Sequence, residues 1–308
     1  MRVAVVDIGT NSTRLLVADV SADGDVAELE RQSTVTRLGQ GVDASGALAP
    51  EAVQRVFSTL ERYRQMIDEH GASETMAVLT SAVRDASNGA EFTARVREDF
   101  GLDARTLSGD EEAQLSFLGA TSSRDPAAPS PVVVIDIGGG STEFVVGSRG
   151  EVAFFVSTQA GSVRQGERFV RSDPPARDEL AALADEVRGI FRAVPADVRA
   201  SVRAGVAVAG TATQLAAIDQ ALEPYDPARV HGYRLDQAGC ERMLAQLAQL
   251  PEAERGEVAG LDPARAPTIV AGAVLMLEAM RAFDLDVIEV SEHDILRGAV
   301  LRRAGVHR

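Results

Sequence analysis

The stretch VIDIGGGSTEFVVG, residues 134–147, repeats in outline the stretch VVDIGTNSTRLLVADV, residues 5–20. Each is an apolar run closing on Asp-Ile-Gly, two small or polar residues, Ser-Thr, a charged residue and a second apolar run. Each therefore reads as a strand, a short polar turn and a strand. A third apolar run, VAFFVS at 152–157, extends the second copy into a meander. One chain that writes the same hairpin twice is expected to hold two similar domains. Their two small-residue turns would then form opposite walls of one cleft.

The segments between the copies fit that expectation. Apolar residues at Val53, Val56, Phe57, Leu60 and Ile67, with Pro50 at the start and Gly71 past the end, predict a helix over 50–70. MAVLTSAVR at 76–84 reads as a strand. TSSRDPAAPSP, 121–131, has turn residues without an apolar period and is the expected domain junction. After the loop SDPPA, 172–176, Leu180, Leu183, Val187 and Ile190 mark one face of a helix. GVAVAGTATQLAAI, 205–218, reads as strand, glycine turn and helix. A helix over 236–250 places Cys240 on an apolar face with Met243, Leu244 and Leu247, a core position rather than a nucleophile's. VIEVS, 287–291, is a strand leading into a final helix. Strand-rich openings followed by alternating helices and strands define an α/β protein.

Composition narrows the chemistry. The chain has 308 residues, 45% of them apolar, enough for two domains with sizeable cores. The apolar run VAVV follows Met1 almost directly, and the longest greasy stretch, IVAGAVLML at 269–277, falls short of the about 20 residues a membrane span needs. With a single cysteine and no leader pattern, a soluble, cytoplasmic protein is expected, bound to no membrane. A net charge of −15 repels polyanions and argues against nucleic acid as a partner. An anionic substrate would have to be held locally, by arginines, backbone N–H groups or a metal. All 31 basic residues are arginine. That excludes the P-loop lysine, the kinase strand lysine and Schiff-base chemistry. The four histidines (His70, His231, His293, His307) are too scattered for a zinc cluster, and no GxSxG or HExxH occurs.

The turns TNST and GGGST suit phosphate. Small residues let a ligand approach the backbone, successive N–H groups form an anion site, and hydroxyls add donors. A plain hairpin turn needs the same residues. Asp7, Asp136 and Glu143 flank the turns, and oxygen ligands of this kind suit Mg²⁺ bridged to phosphates. Hydrogen bonding of turn N–H groups is their structural alternative. In LSGDEEAQLSFLGA, 107–120, Ser108 and Glu111 have capping-box spacing. Glu112 is then spare. Spacing alone assigns it to the helix dipole, with a general base aimed into a cleft as the other reading.

Together, DIGTNSTRLL, SGDEEAQLSFLG, VIDIGGGSTEF and VAGTATQLAA resemble, in this order, the exopolyphosphatase / guanosine pentaphosphate phosphohydrolase family of the actin-like, sugar-kinase and chaperone-ATPase superfamily. The resemblance runs from Val3 to about Arg302. It implies two ribonuclease-H-like domains with an interdomain cleft: 1–120 plus about 296–308, and 121–295. It implies phosphate loops at Thr10, Asn11 and Ser12, with Arg14 following, and at Gly138, Gly139, Gly140, Ser141 and Thr142. Glu112 matches the family's catalytic glutamate; Asp136 and Glu143 match acids tied to catalysis and, with Asp7, to Mg²⁺, with Mn²⁺ as a substitute. Arg84, in TSAVRDASNG, and Arg164, in GSVRQGERF, are the matching phosphate arginines. Gly210 lies where kinase relatives hold adenosine. The implied activity is release of terminal orthophosphate from inorganic polyphosphate, with guanosine pentaphosphate (pppGpp) as the alternative substrate. A superfamily kinase and a non-catalytic phosphate-binding regulator are the remaining alternatives. A homodimer is implied as well. Long relatives carry further helical domains, so a two-domain chain puts long-chain processivity in question. The ending SEHDILRGAV departs from the commoner S-x-x-GLREG.

Overall fold

The computed structural model describes residues 1–21, 23–125, 127–148 and 151–306; His307 lies outside them. The chain divides into two compact units, Met1–Ser122 with Asp294–Arg308, and Ser123–His293.

In the first unit, β1 (Arg2–Ile8), β2 (Ser12–Val20), β3 (Val26–Val35), β4 (Glu74–Leu79) and β5 (Asp103–Thr106) form a sheet of order β3-β2-β1-β4-β5. The β1–β2 and β2–β3 pairs are antiparallel; β4 and β5 add in parallel. The continuous apolar run of β1 has a physical cause: both faces of the strand are covered. Ala4, Val6 and Ile8 pack with the helices Pro50–His70 and Gly89–Phe100. Val3 and Val5 pack against Leu115 of the helix Gly109–Thr121 and Ile295, Leu296, Ala299 and Val300 of the helix Ile295–Arg303.

In the second unit, β6 (Val132–Ile137), β7 (Thr142–Ser148), β8 (Glu151–Thr158), β9 (Ala204–Val208), β10 (Arg234–Asp236) and β11 (Val287–Val290) form a sheet of order β10-β11-β9-β6-β7-β8. From β8 inward this repeats the first sheet: an antiparallel three-strand meander, then two parallel strands. The core on one face comes from the helices Arg177–Phe191, Ala209–Asp219, Gln237–Leu247 and Ile269–Ala282. Cys240 is wholly buried there, and burial pushes its thiol up to about 12, so it is a core residue. No helix among the described residues is long and apolar enough to cross a membrane.

Two local readings change. The strand expected over 76–84 ends at Leu79, and Ser81–Asp85 is a short helix. Thr80 turns the chain: its carbonyl accepts from the amides of Val83 and Arg84, both at 3.1 Å. The strand β3 was not anticipated. It lies at the sheet edge with most residues polar and part-exposed, so it lacks the apolar alternation that marks β1 and β2.

The helices Gly109–Thr121 and Ile295–Arg303 cross through two glycines. A Cβ at Gly119 would lie 1.9 Å from the Asp294 carbonyl oxygen, and one at Gly298 would lie 1.9 Å from that of Leu115. Backbone cannot yield as a side-chain tip does. Gly119→Ala is therefore expected to cost about 1–3 kcal/mol as an overpacking change. Thermal unfolding should show a Tm several degrees lower; an unchanged Tm would mean that the crossing has room to spare.

Candidate active site

Each hairpin turn closes in the same way. The Gly9 amide donates to the Ser12 carbonyl and the Gly138 amide to the Ser141 carbonyl, both at 3.0 Å. The segment after each meander then packs beneath its turn. In the second unit the amides of Ser162, Val163 and Arg164 donate to the carbonyls of Gly138 and Gly139, and Arg164 Nε donates to Gly140 O at 2.8 Å. Gly161 permits this approach, since a Cβ there would lie 2.4 Å from the Gly139 backbone. In the first unit the amides of Thr36 and Arg37 donate to Asn11 O, and that of Gly39 to Thr10 O.

These bonds orient the turns. A trans peptide points its N–H opposite to its C=O, and the cis bonds among the described residues all precede prolines. With the carbonyls of Gly138, Gly139 and Gly140 turned inward, the N–H groups of Gly139, Gly140 and Ser141 point away from the supporting segment. The same holds for the N–H groups of Asn11 and Ser12. Both turns thus present amides in the manner of an anion nest.

The hydroxyls divide. Thr142 is wholly buried and donates to Ala160 O at 2.6 Å, so it secures the loop rather than facing a ligand. Thr13 Oγ1 bonds Thr36 Oγ1 at 3.0 Å, and Thr10 Oγ1 bonds Ser81 Oγ at 2.9 Å. Ser12 and Ser141 are buried in their turns.

Strand register sets the charges. Asp7 stands opposite Arg14 on β2, and Asp136 stands opposite Glu143 on β7. Arg14 donates to Asp7 Oδ2 through Nε (2.8 Å) and Nη2 (2.6 Å), and its Nη1 pairs with Asp294 Oδ2. Arg14, expected as a phosphate ligand, is thus engaged by two buried carboxylates. Burial raises the Asp7 carboxyl above its ordinary value, against the pull of Arg14. Asp7 Oδ1 and Asn11 Oδ1 are buried with no hydrogen-bond partner among the described residues.

Asp136 and Glu143 are 8% and 1% exposed. Ser157 Oγ donates to Glu143 Oε1 at 2.7 Å. Like charges directly opposite across an antiparallel pair repel, so two buried carboxylates here fit a shared hard cation. Among the described residues no group of three or more His, Cys, Asp or Glu is placed to hold a metal ion.

The capping box is formed. Ser108 Oγ accepts from the Glu111 amide at 3.2 Å, and Glu111 Oε2 accepts from the Ser108 amide at 2.9 Å. That amide, first, holds the Glu111 carboxyl below its ordinary value. Glu112 is 7% exposed and is not spare: Arg84 Nη1 donates to its Oε2 at 2.9 Å and to Leu107 O at 3.1 Å. Arg84, expected at phosphate, thus meets Glu112 first. The short helix that replaced the expected strand is what delivers it.

At the end of β9 the left-handed residue is Ala209 (φ 64°), not Gly210. A Cβ on Gly210 would lie 2.1 Å from Arg265 Nη1, so the arginine packs directly against this glycine. Sequence reasoning missed Arg265, Ser157 and Asp294. Only Asp294 left a signal: an aspartate immediately before an apolar helix, as an N-cap requires.

Comparison with known proteins gives the family. The profile of the Ppx/GppA phosphatase family matches residues 16–306. Exopolyphosphatase 2 of Mycobacterium tuberculosis is 38% identical, with 99% of each chain covered. A crystal structure of the Aquifex aeolicus Ppx/GppA family member superposes with a TM-score of 0.82 at 30% identity, over 98% of this chain and 97% of that one. That of an exopolyphosphatase from Cytophaga hutchinsonii superposes with a TM-score of 0.91 at 26% identity, over 100% of this chain and 99% of that one. With the matching profile running from within β2 to the end of the final helix, and a relative 38% identical over 99% of the chain, the chain belongs to the Ppx/GppA phosphatase family.

Proposed function

We propose that the protein is a Mg²⁺-dependent exopolyphosphatase that releases terminal orthophosphate from inorganic polyphosphate, with Glu112 as the base. Its family makes it a phosphoanhydride hydrolase. The observation that carries the finer reading is the division of labour between adjacent acids: Glu111 closes the helix cap, whereas Glu112 is buried and held by Arg84.

In this reading a water oxygen bonds to the terminal phosphorus, and the bridging P–O bond breaks toward the shortened chain. Glu112 takes the proton that the water loses. The outward N–H groups of a turn would hold phosphate oxygens and stabilise their charge in the transition state. Arg84 sets the direction of the Glu112 carboxylate and offers a guanidinium to phosphate. Asp136 and Glu143 would hold Mg²⁺, which supplies neutralisation of substrate charge.

Orthophosphate release should be measured side by side on short and long polyphosphate, pppGpp and ATP, each with Mg²⁺. The expected result is fastest release from polyphosphate. Release from pppGpp alone would assign the alternative substrate, and release from none would remove the reading.

A further inference from the structure

We propose that Arg14 is a positioning residue that fixes Asp7 beside the first phosphate turn, and is not itself a ligand of substrate phosphate. The proposal rests on the phosphate-binding reading of that turn given above.

Asp7 and Asp294 are buried and Arg14 is part-buried: their side chains are 4%, 5% and 17% exposed. The guanidinium grips Asp7 Oδ2 with two nitrogens and reaches Asp294 with a third. Asp294 is fixed in turn, since its Oδ1 caps the final helix by accepting from the Leu296 amide at 3.0 Å. To reach a phosphate, Arg14 would have to abandon two buried carboxylates, which leaves uncompensated charge in a poorly solvated place. A planar guanidinium forked onto one oxygen also prevents the Asp7 carboxylate from turning. Its other oxygen, Oδ1, is then aimed in one direction. It is buried and without a hydrogen-bond partner among the described residues, an acceptor held ready for a donor brought by ligand or water.

Comparison of the two hairpins supports this division. The strand position of Arg14 opposite Asp7 is that of Glu143 opposite Asp136. Where the second hairpin sets two acids against each other, the first carries its own cation. Asp294, in the segment SEHDILRG, supplies the second carboxylate and the helix cap together.

Two variants test the proposal. Arg14→Lys keeps the charge but loses the two-point grip on Asp7. Asp294→Asn keeps a good cap residue but loosens the hold on Arg14, and it carries the test if Arg14→Lys does not fold. Tripolyphosphate binding with Mg²⁺ is read by calorimetry, turnover by orthophosphate release, and loop order by amide exchange over residues 7–14. The proposal expects an unchanged Kd, faster exchange and a kcat lower by about 10–100-fold, the loss typical of an outer-shell partner. A Kd weakened by about tenfold or more would make Arg14 a phosphate ligand and overturn it. Unchanged exchange and kcat would overturn it too. If the wild type does not turn over polyphosphate at all, the functional reading fails by itself, and binding and exchange still decide the role of Arg14.

Discussion

Glu112→Gln is expected to lower kcat by about 10²–10⁴-fold, the contribution of a positioned general base, with little change in KM or Tm. Glutamine keeps the length of the side chain and an oxygen to accept from Arg84 Nη1, so the 2.9 Å contact survives. It cannot take a proton from water. Loss of kcat without loss of binding is the signature of an interaction made in the transition state. Glu111→Gln provides the control. Its carboxylate accepts from the Ser108 amide, and glutamine serves equally at that place in a capping box. Activity should therefore stay near wild type. If the Glu111 variant were inactive and the Glu112 variant active, the base would have been assigned to the wrong acid.

Removal of divalent cation should have an effect at least as large. In the proposed reaction a chain of net charge −15 accepts a polyanion, and two of its buried carboxylates, Asp136 and Glu143, stand opposite each other on β6 and β7. Excess chelator should reduce orthophosphate release to background, and Mg²⁺ or Mn²⁺ should restore it. Asp136→Asn removes half of the paired charge, so half-maximal activity should need more metal. Full turnover in excess chelator would show that the acid pair is neutralised in another way and would remove its proposed role.

What could be read in the sequence follows from the range of the forces involved. The duplicated hairpins were legible because β1, β2, β6 and β7 are buried on both faces and therefore write apolar runs on either side of a polar turn. The capping box was legible because its partners are three residues apart. The strand β3 was hidden, since a polar edge strand has no apolar pattern to display. The partners of the charged groups were hidden for a different reason. Arg14 and Asp294 are 280 residues apart in sequence, and Arg84 and Glu112 are 28 apart. Periodicity carries no trace of such pairings. Arg14 and Arg84 read as phosphate arginines in the sequence, which gives no sign that the fold also sets each against a carboxylate. Likewise nothing near Gly210 in the sequence announces Arg265, which packs against it from 55 positions away.

Oxygen-isotope labelling of the product tests the central claim most directly. Polyphosphate of defined length is incubated with the enzyme and Mg²⁺ in H₂¹⁸O, and the released species are resolved by mass spectrometry. Attack of water on the terminal phosphorus predicts orthophosphate as the early product, with one labelled oxygen in each molecule, and a loss of that product in Glu112→Gln as steep as the loss of kcat. Oligophosphate fragments without orthophosphate, or orthophosphate released undiminished by Glu112→Gln, would contradict terminal hydrolysis driven by this glutamate.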